Sequence, residues 1–236
     1  MARLMQADKS AAKRSEILDV AQRLIYTRGY EQMSIQDILD ELHISKGAFY
    51  HYFDSKQALL EALILRMQQE AEQSLLPIIE DPHLPPLEKL QRFFDQSVTW
   101  KTAHKDYLLA LIRVWYADDN ALPRLKMQAG LVRQSTRWLS DIIRQGVAEG
   151  VFNTPHPDYA GEMLLVLILG LGDTFIDVLV TGGPHSGDRE RVEKALAAYT
   201  DALERILGAS PGSFELMSPE AIKEWVTLPT EKEVQA

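Results

Sequence analysis

The chain of 236 residues is 46% hydrophobic and 25% charged with 13 Gly and 11 Pro, a composition that excludes a disordered or fibrous polymer and allows about one and a half domains. It has no Cys, which removes disulfide scaffolds, thiol nucleophiles and thiolate zinc sites. The formal charge of −9, averaged over the chain, argues against a polyanionic partner, yet residues 1–56 hold eight basic against eight acidic side chains and the whole −9 falls on 57–236. The first segment is therefore free to be basic on one face.

The amino terminus, MARLMQADKSAAKR, has basic residues without an apolar run behind them, so no secretory signal and a cytoplasmic location are expected. Helical periodicity dominates, and an all-α fold of about nine to ten helices is predicted. A first helix spans Ser10 to Arg28, with Ile17, Ala21, Leu24 and Ile25 on one face and Gly29 as its stop. A second, about eight residues long, starts at Ser34, which forms a capping-box-like pair with Asp37 ahead of Ile35, Ile38, Leu39 and Leu42. After His43, read as a solvated turn residue, Ser45 caps Lys46 to Phe53, and Ser55 caps a long helix through Leu59, Leu63 and Met67.

Two short helices across a tight turn, packed on a longer one, make a helix-turn-helix over about 34–53. On the second helix Phe49 and Phe53 share one side, while Gly47, Ala48, Tyr50 and His51 lie opposite with Lys46 at the margin. Small residues admit close approach to a groove, Lys reaches guanine acceptors or phosphate, and Tyr and His donate to phosphate oxygens. The hydroxyls and amides at Ser34 and Ser45 are further phosphate partners.

The strings Arg28-Gly29-Tyr30, Ser34-Ile35-Gln36-Asp37-Ile38 and Ile44-Ser45-Lys46-Gly47-Ala48-Phe49-Tyr50-His51-Tyr52-Phe53-Asp54-Ser55-Lys56 resemble the tetracycline-repressor (TetR) family of bacterial transcription regulators over about residues 14–60. The resemblance implies that Lys46, Gly47, Ala48 and Tyr50 approach bases, that Ser34, Ser45, Tyr50, His51, Tyr52 and Lys56 hold phosphates, and that Ile44, Phe49 and Phe53 are core. The angle of Tyr52 also suits partial burial. Around the turn the family usually has Ala, Ala and Gly, where this chain has Leu39, Leu42 and His43.

Beyond this head, Pro82, Pro85 and Pro86 separate the long helix from one at Leu87 to His104; others follow at Lys105 to Tyr116 and, after an Asp118-Asp119-Asn120 turn, from Pro123 to Glu149-Gly150. Trp100, His104, Tyr107, Trp115 and Trp138 supply aromatic and polar groups of the kind that line a small-molecule pocket, with ordinary core packing as the competing reading. The apolar run Met163 to Val180 approaches membrane length, but Asp173 and Asp177 decide against a span, each costing about 2.5–3.5 kcal/mol near a bilayer centre. A soluble helix apolar on nearly all sides is buried twice, against its own subunit and against another. Leu167, Leu171, Phe175 and Val178, with Val192, Leu196, Tyr199 and Leu203 of the next helix (Asp188 to Leu207), are thus the expected dimer interface. Asp173 and Asp177 can serve as metal ligands, pocket counter-ions or partners of an Arg across the interface, the last being preferred. Gly170-Leu171-Gly172 reads as a close helix contact. Residues 209–213 form a linker, Ser218-Pro219-Glu220 starts a short helix that holds Trp225 and can dock on the body, and TEKEVQA reads as disordered.

No metalloprotease, Walker, dinucleotide or nucleophile-elbow motif is present. The expected organisation is a DNA-binding domain at 1–56, an effector-binding and dimerisation domain at 57–208, and a tail at 209–236. The expected function is a homodimeric, ligand-responsive repressor on a near-palindromic operator of double-stranded DNA, released by a small-molecule effector, without catalysis, cofactor, metal or membrane. The competing reading is a helical small-molecule-binding protein or enzyme with a vestigial head.

Overall fold

The computed structural model describes residues 2–117, 120–180 and 187–226, with side chains except at 2–8, 126–131 and 180. Among them the secondary structure is helical throughout: α1 (Ala2–Arg28), α2 (Ile35–Leu42), α3 (Lys46–Tyr50), α4 (Lys56–Ile79), α5 (Pro86–Ala103), α6 (Lys105–Trp115), α7 (Ala121–Ala148), α8 (Pro157–Val180), α9 (Asp188–Leu207) and α10 (Pro219–Trp225). The all-α expectation holds. α1 starts eight residues before Ser10, since nothing in Arg3 to Lys9 breaks a helix. Pro123 is the third residue of α7, not the first; a first-turn amide has no intrahelical acceptor, so proline is tolerated there. The predicted Asp118-Asp119 turn and the residues from 227 onward lie outside the described residues.

The chain divides into two compact units, Met1–Glu70 with Asp106–Arg124, and Ala71–Lys105 with Leu125–Ala236. The first packing unit is thus larger than the 1–56 segment expected to bind DNA. Its core joins Ile17, Ala21 and Ile25 of α1 to Ile38 of α2, Phe49 of α3 and Leu59 and Leu63 of α4, each at most 1% exposed. α1 stops where Gly29 takes φ 80° and its N–H reaches the Ile25 carbonyl at 2.9 Å. Asn120, buried, accepts from Gln57 at the start of α4 and donates to the Val114 carbonyl at 2.9 Å.

In the second unit α8 packs along α9 and α10 packs on α5 and α9. Backbones cross closely where side chains vanish. A Cβ at Gly161 would lie 2.7 Å from the Ser140 backbone nitrogen, and one at Gly170 3.1 Å from the Tyr199 hydroxyl, which is the close contact read from Gly170-Leu171-Gly172. Gly208, at φ 61°, ends α9 against the Asn153 carbonyl. Trp225 of α10 donates from Nε1 to Thr102 Oγ1 at 2.8 Å, and Lys105 lies over its ring. Phe214, 3% exposed, packs on Phe94 at 5.7 Å between centroids. The segment after α9 is therefore docked through Val226, not trailing. No helix among the described residues is long and apolar enough to cross a membrane.

Candidate nucleic-acid interface

Two N-caps set the geometry of the head. The Ser34 hydroxyl accepts from the Asp37 amide at 3.1 Å, while the Ser34 amide and hydroxyl donate to Asp37 Oδ2 at 2.7 and 2.6 Å. This is a full capping box with Asp in place of Glu. Those Ser34 bonds, and secondarily the charges of Arg28 and Lys56, hold the Asp37 carboxyl below the ordinary carboxylate range. The single proton of Ser34 is thereby committed to Asp37, which favours a capping role over donation to phosphate. Ser45 differs. Its Oγ accepts from the Ala48 amide at 3.2 Å and keeps its own proton for an outside acceptor.

Between the caps, His43 ends α2 at φ 50°, ψ 42°, the one non-glycine residue with positive φ among those described. Its N–H and that of Ile44 both reach the Leu39 carbonyl, so the turn keeps its hydrogen bonds although a Cβ sits in the left-handed region. The His43 side chain is exposed, as expected of a solvated turn residue.

On α3, Phe49 is fully buried, with Tyr50 edge-on to it at 5.5 Å and Phe53 at 5.8 Å. Ser45, Lys46, Gly47, Tyr50 and His51 are exposed, and Ala48, Tyr52 and Lys56 are half-buried. Lys46 Nζ lies 5.9 Å from the Tyr50 ring centroid, and His51 meets Tyr52 edge-on at 5.0 Å. A Cβ at Gly47 would meet only Ser45 Oγ, at 3.9 Å, so nothing inside the protein requires glycine there. The fold thus brings together on one outward face a primary amine, a phenol, an imidazole, a hydroxyl and a stretch of bare backbone. Such a set offers donors to phosphate and base edges.

Lys56 stands apart from this face. Its ammonium donates to the Tyr30 carbonyl at 2.8 Å and the Glu31 carbonyl at 3.4 Å and lies 4.3 Å from the Tyr30 ring centroid, which ties the start of α4 to the α1–α2 connection. Burial lowers its pKa, and burial with Glu31 raises that of Tyr30 to about 12. Arg23 pairs with Glu41, and Arg28 with Asp37. Arg14 belongs to no motif of the head, yet its guanidinium sits 4.9 Å from the Phe53 ring centroid, just past the end of α3. The available signal was its place three residues before Ile17, near the core-facing side of α1.

The residues expected to line a pocket divide between the two units. Tyr107, 2% exposed, stacks on Tyr26 at 5.2 Å in the first unit, its hydroxyl buried without a partner and its pKa pushed up by burial. Trp115 belongs to the same unit and is buried. In the second unit Trp100 and His104 are half-buried and stacked at 4.3 Å, with His104 Nδ1 2.8 Å from the Trp100 carbonyl, and Trp138 is buried. The Thr136 hydroxyl is buried there with no hydrogen-bond partner among the described residues.

Of the residues expected at a dimer interface, Leu171, Val178, Val192, Leu196 and Leu203 are each at most 7% exposed within a single chain, where α8 meets α9; Leu167, Phe175 and Tyr199 are half-buried. Those five are already covered and offer a second copy no free surface. The periodicity of a helix apolar on both sides does not say which side faces its own subunit. The apolar surface that α8 turns outward is Tyr159, Met163 and Val166, at 63, 45 and 58% exposure. Asp177 pairs with Arg191 of α9 at 2.7 Å within the chain, and Asp173 is exposed.

This head is a helix-turn-helix DNA-binding domain. Residues 17–63 match the family described as bacterial regulatory proteins, tetR family. The HTH-type transcriptional repressor KstR2 of Mycolicibacterium smegmatis is 26% identical over 179 residues, covering 76% of this chain and 85% of that protein. The fold also resembles a transcriptional regulator from Cytophaga hutchinsonii (TM-score 0.65, 19% identity, 82% of this chain and 97% of that one). A tetR-family transcriptional regulator from Pectobacterium atrosepticum is similar too (TM-score 0.61, 16% identity, 85% and 96%). The amino-terminal segment thus matches the tetR family over residues 17–63, and these likenesses support a DNA-binding regulator.

Proposed function

We propose that the chain is a homodimeric transcriptional repressor, cytoplasmic and acting by binding, not catalysis, whose two heads enter successive major grooves of a near-palindromic operator and leave it when a small-molecule effector binds. The observation that carries this reading is the outward face of α3, where Ser45, Lys46, Gly47, Tyr50 and His51 stand together on a buried Phe49. Lys46 and the backbone at Gly47 read base edges, while Ser45, Tyr50 and His51 hold phosphates. Ala48 follows Gly47 into the groove, and Tyr52 and Lys56, half-buried, act from the rim.

The homodimer rests on the outward stripe of α8, in which Tyr159, Met163 and Val166 recur at i, i+4 and i+7. Half-buried Leu167, Phe175 and Tyr199 flank the seam. Two-fold symmetry then matches operator palindromy, with half-sites one helical turn or a multiple apart. The effector is assigned to the second unit on the stacked Trp100 and His104, the buried Trp138 and the unpartnered Thr136 hydroxyl, which a polar ligand atom would satisfy. It releases DNA only by as much as it prefers the DNA-free arrangement.

The test is a binding titration of the full-length protein on duplexes selected from a random pool, repeated across salt concentrations with the stoichiometry read by sedimentation. Two chains per selected duplex, with log affinity falling steeply against log salt, is the expected result. Absence of salt-dependent duplex binding would refute it.

A further inference from the structure

The family match begins at residue 17, and α1 begins at Ala2. Ile17 is the first residue of α1 buried in the core; from Lys9 to Glu16 the described side chains are exposed or half-buried. The helix therefore runs on for several turns before it reaches the head. These turns are basic in balance, since residues 1–16 hold four basic side chains against two acidic ones, whereas residues 17–56 hold four against six.

Pairing sharpens the contrast. Arg23, Arg28 and Lys13 each hold a carboxylate, at Glu41, Asp37 and Glu16. Lys56 is engaged by two carbonyls. Among the described residues 9–56, the cations left without a carboxylate or a carbonyl are Lys46 on α3 and Lys9 and Arg14 on α1. Arg14 is fixed over the face of Phe53, immediately beyond α3, and a guanidinium held by its face keeps its N–H edge free for a phosphate. Lys9 lies five residues earlier, about 7.5 Å along the axis.

We infer that the amino-terminal half of α1 is a second DNA-contacting surface, in which Lys9 and Arg14 bind backbone phosphates flanking the bases that α3 reads. This rests on the DNA-binding reading above and adds contacts outside the family-matched segment. Phosphate contacts carry no sequence information but fix register, and each neutralised phosphate releases condensed counterion, so the surface contributes to affinity for any duplex and to its salt dependence.

The experiment compares the full-length protein, the double variant Lys9→Ala/Arg14→Ala and the charge-conserving Lys9→Arg/Arg14→Lys on a 40-base-pair random duplex over a salt series. With two chains per duplex the alanine pair removes four phosphate contacts, so the slope of log affinity against log salt should be shallower by about three to four for the alanine pair and unchanged for the conservative pair. Between 50 and 200 mM salt the wild type should then lose about a hundredfold more affinity than the alanine pair. Equal slopes in the wild type and the alanine pair would overturn the inference and leave the DNA-binding reading standing. A slope lost equally in both pairs would overturn it too, by assigning the effect to helix packing. A wild type that binds no duplex overturns both.

Discussion

The two units hold their shapes by different means. In the first, most devices are local: Ser34 with Asp37, Ser45 with Ala48, Ser55 with the Ala58 amide at 2.9 Å, and cations paired within or between adjacent helices. In the second, helices approach because residues are missing a side chain, at Gly161 against Ser140, Gly170 against Tyr199 and Gly208 against Asn153. A surface that must meet a fixed partner needs its side chains aimed, and caps within a few residues do that. On the proposed function the second unit takes up a ligand and a second copy of itself, which calls for close contact over long sequence distances and apolar stripes built for coverage.

Gly161→Val gives the strongest test of this contrast. Its new carbons would have to displace Ser140 main chain, not a flexible side-chain end, and about 3 kcal/mol of destabilisation is expected in urea unfolding of the full chain. An unchanged midpoint would show that the second unit is not held by that crossing. A smaller effect of opposite sign is expected in the head. His43→Gly removes the Cβ from the left-handed region and should stabilise the first unit by up to about 1 kcal/mol, read as a raised thermal midpoint. A loss would mean that the imidazole stabilises the turn by more than its backbone costs.

The same contrast explains what could be read without coordinates. Ser34, Ser45 and Phe49 were legible because cap, turn and core positions are fixed by neighbours three or four residues away, and the short α2 and α3 leave one register. His43 was legible as a turn residue, and its left-handed backbone follows from its place between two caps. The seam of α8 and α9 was not legible in the same way. Leu171, Val192 and Leu203 carry the periodicity of an interface, but whether they face their own subunit depends on the crossing at Gly170 and Tyr199. Tyr159 lies before the apolar run that opens at Met163, six residues after α8 begins at Pro157, and within the run the periodicity does not single out Met163 and Val166 as the outward side. The carbonyl contacts of Lys56 were not legible either, for its two acceptors lie 25 and 26 residues away and no local pattern shows them. The pocket residues were chosen by type alone, and type does not tell Trp100 on one unit from Trp115 on the other.

The central claim is that α3 reads bases, and Lys46 is the side chain that tests it most directly. It is exposed, holds no carboxylate and leans only on Tyr50, so its removal leaves the head intact. The measurement is the affinity of the full-length protein and of Lys46→Ala for a selected operator duplex and for random duplex at one salt concentration. A loss of about 1–3 kcal/mol on the operator, larger than the loss on random duplex, is the predicted result. Equal losses on both would make Lys46 a phosphate contact, and unchanged affinity for the operator would contradict the assignment of α3 as the reading helix.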